Sequence, residues 1–195
     1  MAERGITPSQ TVGPFFHFAL TPTEHDFRAI VGDNLATPDA VGEPIRIAGR
    51  LLDGAGEPVP DAMVEIWQAD GAGRYAGREP GVNVSFTGFG RGATSKEGAF
   101  GFTTVKPGAV PGPGGRPQAP HIDVGIFARG MLKRLFTRIY FAGEPANDGD
   151  AVLTLVPAGR RATLIARRDG MSDGLPLFVL DIRLQGDQET VFFEA

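Results

Sequence analysis

The sequence predicts a mostly β fold, a β-sandwich with long irregular loops and an extended N-terminal arm. Three observations carry that expectation. Short apolar runs, rich in β-branched and aromatic residues, recur along the chain with turn residues between them. Glycine (28) and proline (16) are frequent among the 195 residues and fall between the runs, not in one low-complexity stretch. Residues 121–128 alternate cleanly, with Ile122, Val124 and Ile126 on one face and His121, Asp123 and Phe127 on the other.

Taken in order, residues 1–44 read as the arm. Prolines at 8, 14, 22, 38 and 44 oppose a long helix there. The cluster Phe15, Phe16 and Phe18 is too apolar to be left in water, so the arm packs either on its own domain or on a partner chain. Strands are expected at 45–52, closed by Asp53-Gly54, at 62–67, and at 100–105, closed by Lys106-Pro107-Gly108. Further strands are expected at 121–128, 138–141, 152–156, 163–167, 177–184 and 190–193. Trp67, within a strand, is expected in the core. Residues 70–91 form a long glycine-rich loop, and 107–120 hold five prolines and four glycines in fourteen residues. Long loops of this kind tend to be functional or to pack on a neighbour. Length and the lack of an internal repeat suit a single domain over 1–195, with 1–44 as its arm.

Composition excludes several classes. The net charge is -4 and no basic stripe occurs, so the electrostatic footprint of a nucleic-acid binder is missing. Without cysteine there is no disulfide, thiolate metal site or cysteine nucleophile. The first residues lack the apolar core of a signal peptide, and no apolar run is long enough to span a membrane. The expectation is a soluble, cytoplasmic protein.

The candidate chemistry is sparse. Of three histidines, His17 and His25 lie in the arm. His121 and Asp123 stand two apart on a strand and so share a face, which lets both reach one metal. A 2-His-1-carboxylate site needs a third ligand, however, and the plainer reading is that the pair are hydrogen-bonded polar groups at an interface. Ser9, Thr11 and Ser95 lack a nucleophile elbow. Gly88-Phe89-Gly90-Arg91-Gly92 lacks the spacing and lysine of a phosphate-binding loop. Arg129 directly follows the strand at 121–128, a position suited to bidentate pairing with a carboxylate or, more blandly, to solvation.

Several motifs together carry a resemblance. Residues 7–16, Thr-Pro-Ser-Gln-Thr-Val-Gly-Pro-Phe-Phe, are followed by Glu65-Ile66-Trp67-Gln68-Ala69-Asp70, Gly88-Phe89-Gly90-Arg91, Thr103-Thr104-Val105-Lys106-Pro107-Gly108 and Ala119-Pro120-His121-Ile122. The ending Asp181-Ile182-Arg183-Leu184-Gln185-Gly186 with Thr190-Val191-Phe192-Phe193 completes the order. In this order the segments resemble the intradiol ring-cleavage dioxygenases over nearly the whole chain. The resemblance, and its ending in particular, implies the iron-less chain of a two-chain αβ hetero-oligomer. Its partner β chain would hold non-haem Fe(III) through two tyrosines and two histidines and use O2 to open an aromatic ring between two hydroxyl-bearing carbons.

Against that pattern this chain has Val110 where one tyrosine ligand follows the Lys-Pro-Gly turn, and no tyrosine in residues 79–86. It keeps His121 but has Asp123 at the second histidine position, and Gln118 where catalytic chains carry an arginine. The resemblance therefore implies no metal on this chain, with Val110, His121 and Asp123 as vestigial ligand positions and no catalytic residue on this chain alone. It also implies that Thr11, Gly13 and Pro14 of the arm, together with Arg129, bind the substrate, Arg129 by neutralising a ring carboxylate. Two other readings compete: a stand-alone β-sandwich binding module without catalysis, and a single-chain metalloenzyme using His121 and Asp123.

Overall fold

In the computed structural model the described residues are 13, 19–25, 27–77 and 86–194. Phe15, Phe16 and Phe18, expected to pack, lie outside them, as do Thr11 and Pro14. Within the arm, a 3-10 turn spans Pro22–His25 and Asn34 bridges to Thr103. Among the described residues no helix is long and apolar enough to cross a membrane.

The strands are β1 (Pro44–Leu52), β2 (Met63–Trp67), β3 (Phe89–Ala93), β4 (Ala99–Val105), β5 (Val110–Pro111), β6 (Pro117–Gln118), β7 (His121–Phe127), β8 (Leu135–Phe141), β9 (Ile165–Ser172), β10 (Leu175–Val179) and β11 (Ile182–Arg183). The fold is mostly β, as the sequence predicts. Nine strands form one nearly closed path, β11-β1-β10-β9-β8-β7-β2-β3, with β4 on β1; β5 and β6 form a separate small hairpin. The two halves are joined through β9, whose start pairs with Tyr140 and Phe141 of β8 while its remainder pairs with β10.

The alternation in the sequence decides what lies between the halves. Ile45, Ile47 and Leu51 of β1, Val64 and Ile66 of β2 and Ile122, Val124 and Ile126 of β7 point into one shared core. Phe141 of β8 meets Phe178 of β10 edge-on with ring centroids 5.0 Å apart, closing the core from both sides. The opposite face of β2, β7 and β8 carries Glu65, Trp67, His121, Asp123, Arg138 and Tyr140.

Several expected elements differ. Residues 152–156 make a 3-10 turn, Leu153–Leu155, because the Asp150 carboxylate takes the backbone N–H of Val152 and Leu153. Thr163 lies in the 3-10 helix Ala158–Leu164, and β9 starts only at Ile165. The run at 177–184 divides into β10 and β11, both parallel to β1. Residues 190–193 give no strand, only a bridge from Phe193 to Phe136. The glycine-rich β3 falls at the end of the expected loop. Trp67, expected in the core, stands on the outer face, 37% exposed, its ring 4.5 Å from that of Tyr75.

Candidate functional site

The polar residues of the outer face converge where β7 and β8 meet the β5–β6 hairpin. The hairpin's place is set from below by the loop at 70–74. Gly73, with φ +76, lies so close to Ala109 that a Cβ there would stand 2.1 Å from the Ala109 carbonyl oxygen. Val110 then pairs across the hairpin with Gln118. Val110 is buried and offers no donor atom to a metal.

Next along the chain, β7 presents His121 and Asp123 on one face, opposite Tyr140 and Arg138 of β8. His121 Nδ1 lies 2.7 Å from the Ala119 carbonyl oxygen. A carbonyl only accepts, so Nδ1 carries the proton and Nε2 is left as an acceptor. His121 Nε2 is buried without a hydrogen-bond partner among the described residues, and it stands 4.0 Å from Asp123 Oδ1. That oxygen lies 2.9 Å from Arg138 Nε, an ion pair whose N–H is not aimed along the contact, so it too lacks a directed hydrogen bond. Arg138 Nη1 donates to Gln118 Oε1 at 2.7 Å and to Tyr140 Oη at 3.4 Å. Beneath them Asp150, fully buried, accepts from Tyr140 Oη at 3.1 Å, from the Ala119 N–H at 2.7 Å and from the Val152 and Leu153 N–H groups.

The electrostatics follow from burial and one guanidinium. Burial, then the positive charge of Arg138, lowers the His121 pKa below its ordinary 6.5. Burial likewise raises the Tyr140 phenol, which stays protonated. Burial works against the charge on Arg138, but Asp123 and Tyr140 outweigh it and hold the guanidinium pKa above its usual value. His121 is therefore neutral in the fold and binds its proton more readily once unfolded. Its contribution is intact above pH 6.5, and stability is lost as pH falls from there toward the lower folded value. Urea titrations of the His121→Gln variant should show a flatter decline of stability over that window than the parent chain. Parallel curves would place the proton uptake elsewhere.

The structure brings His121 and Asp123 together but not Arg129. With a rise of about 3.3 Å per residue, Arg129 is roughly 20 Å or more from His121 along β7 and its continuation. Its side chain is 67% exposed and pairs with Asp61, Nη2 to Oδ2 at 2.8 Å and Nε to Oδ1 at 3.2 Å. Gly13 is exposed, and a Cβ built on it would meet nothing within 4 Å among the described residues. The site also contains Arg138, Tyr140 and Asp150, which the motifs of the sequence do not single out. Arg138 and Tyr140 were detectable as the alternate residues of β8 facing His121 and Asp123. Between this cluster and Arg134, a groove of about 450 Å³ is lined by Trp67, Phe89, Phe136, Glu65 and Asp123.

Residues 12–186 match the family described as dioxygenase. The chain is 44% identical, over 97% of its own length and 97% of the relative's, to the protocatechuate 3,4-dioxygenase alpha chain of Burkholderia cepacia. The chain belongs to the intradiol ring-cleavage dioxygenase family. Within this family it is also 35% identical to the protocatechuate 3,4-dioxygenase beta chain of Burkholderia cepacia, over 88% of this chain and 75% of that one. The dioxygenase domain of a carbohydrate-binding fusion protein from Streptomyces sp. SirexAA-E has a related structure, with a TM-score of 0.63 and 26% identity over 92% of this chain and 98% of that domain.

Intradiol dioxygenases use Fe(III), and the described residues of this chain do not fit it. Asp123 is held by a guanidinium, Val110 has no donor atom, and among the described residues no group of three His, Cys, Asp or Glu side chains is placed to hold a metal ion. His121 Nε2 is a buried nitrogen without a hydrogen-bond partner among the described residues, and the carboxylate 4.0 Å from it is already paired with the permanent cation of Arg138.

Proposed function

We propose that this chain is the alpha subunit of a protocatechuate 3,4-dioxygenase. With an iron-bearing beta subunit it cleaves 3,4-dihydroxybenzoate with O2 to 3-carboxy-cis,cis-muconate. The observation that carries this reading is the end-to-end match to an alpha chain, closer than the match to the corresponding beta chain. We read residues 1–195 as one cytoplasmic domain whose arm, 1–44, contributes to the subunit interface and the active site.

On this reading Fe(III) on the beta subunit would take the ring hydroxyls and supply the chemistry that lets O2 add to the ring. This chain's part is to bind and orient. Arg129 receives the ring carboxylate, replacing its pairing with Asp61 by a charge-assisted pairing to substrate. Thr11, Gly13 and Pro14 come from the arm, where Gly13 lets the backbone approach a flat ring closely. The cluster at His121 takes no part in the chemistry, since Arg138 and Asp123 already neutralise one another.

Expression of the full-length chain alone and together with the beta chain of a neighbouring reading frame tests the proposal. Co-expression should give a stable mixed assembly with iron and ring-cleaving activity on protocatechuate. The chain alone should hold no stoichiometric iron, show none of the tyrosinate-to-Fe(III) colour, and be inactive. A coloured, active preparation of this chain alone would sink the reading.

A further inference from the structure

We propose that Arg138 is a built-in cation that holds a latent metal site shut. The site consists of His121 Nε2 and Asp123 Oδ1. The His121 side chain is 2% exposed and the Asp123 side chain 8%, and among the described residues His121 Nε2 has no hydrogen-bond partner and Asp123 Oδ1 no directed hydrogen bond. These two acceptors face one another across 4.0 Å, where neither can donate to the other. Two buried acceptors in that arrangement call for a positive charge or a donor beside them. The chain supplies one: the Arg138 guanidinium, 2.9 Å from Asp123 Oδ1.

A metal ion with bonds of about 2.0–2.2 Å to nitrogen and oxygen would span the same pair after a small side-chain adjustment. It cannot enter while the guanidinium is present. Arginine does not deprotonate in proteins, so a divalent ion would sit against a fixed positive charge. Nor does Arg138 swing away freely, because Gln118 Oε1 and Tyr140 Oη hold its Nη1. The register makes position 138 the decisive one. It lies directly opposite Asp123 on the face that also bears His121, and such cross-strand Cβ atoms are about 4.5–5.5 Å apart. One arginine thus removes an open coordination position and neutralises the carboxylate that would have served as ligand.

The full-length chain is incubated with Co²⁺, dialysed, and assayed for bound metal and for ligand-field absorption. The parent chain should retain no cobalt above background. R138H sets an imidazole opposite Asp123 and completes a 2-His-1-carboxylate arrangement. It should retain about one equivalent, at least tenfold more than the parent, with visible ligand-field bands. Adding H121A to R138H should abolish both signals. R138Q, which removes the charge but keeps hydrogen-bonding capacity toward Gln118 and Asp123, serves if R138H does not fold. Its melting temperature should rise with Co²⁺ while that of the parent stays fixed. The proposal is overturned if the parent chain takes up as much cobalt as R138H. It is equally overturned if folded R138H, or folded R138Q where R138H fails, responds to cobalt no more than the parent does.

Discussion

Asp150→Ala should lower the melting temperature of the folded chain by roughly 8–16 °C. The carboxylate is fully buried and accepts from the Ala119, Val152 and Leu153 N–H groups and from Tyr140 Oη. Truncation leaves all four donors without their acceptor inside the protein. Each buried unsatisfied group costs about 1–3 kcal/mol, so even at the low end the loss is about 4 kcal/mol. In a domain of this size 1 kcal/mol moves the midpoint by about 2–4 °C. Asp150→Asn retains one acceptor oxygen but turns an amide N–H toward a donor, so an intermediate loss is expected. Thermal unfolding followed by circular dichroism separates the cases. A shift below about 3 °C in the alanine variant would mean that the four donors find other partners and that Asp150 does not hold the hairpin and the turn at 150–155 in place.

Asp150 also marks the boundary between what was legible in the sequence and what was not. β1, β4 and β7 are readable because apolar residues recur at alternate positions, and that recurrence follows from a strand with one face in the apolar core; in β7 the other face is buried too, but by polar residues. The turn at Leu153–Leu155 defeats that reading, since Val152 to Val156 is as apolar as a strand and only a carboxylate two residues upstream converts it into a turn. β3 is hidden for the opposite reason: two of its five residues are glycine, and it is a strand because β2 pairs along its full length. Trp67 misleads because strand membership does not say which face a residue takes. At the candidate site His121 and Asp123 stand out as chemistry-bearing residues two apart. Arg138 gives no comparable signal, because its meaning depends on a cross-strand register that the sequence does not print.

On the proposed reading, Arg129→Ala in the assembled enzyme should lower kcat/KM for protocatechuate roughly ten- to hundred-fold. A hydrogen bond to a charged group contributes about 1.5–3 kcal/mol, and that loss falls on transition-state binding. In the chain by itself the guanidinium rests on Asp61, but it is 67% exposed, and an exposed ion pair contributes only about 0–1 kcal/mol. A substrate carboxylate can therefore displace Asp61 at small cost. Arg129→Lys should recover only part of the loss, because an ammonium lacks the bidentate fork. Catechol carries no carboxylate, so its turnover should be nearly unchanged by either substitution, and the iron content should stay constant. Asp61→Asn supplies the structural control. It breaks the same surface pair while leaving the guanidinium free, so protocatechuate turnover should hold steady or rise. If Arg129→Ala depresses both substrates equally and Asp61→Asn reproduces the loss, Arg129 works by anchoring the turn at Asp61, and substrate recognition lies elsewhere. The ratio of protocatechuate to catechol turnover in the three variants decides between the two roles, because only carboxylate recognition moves one substrate without the other.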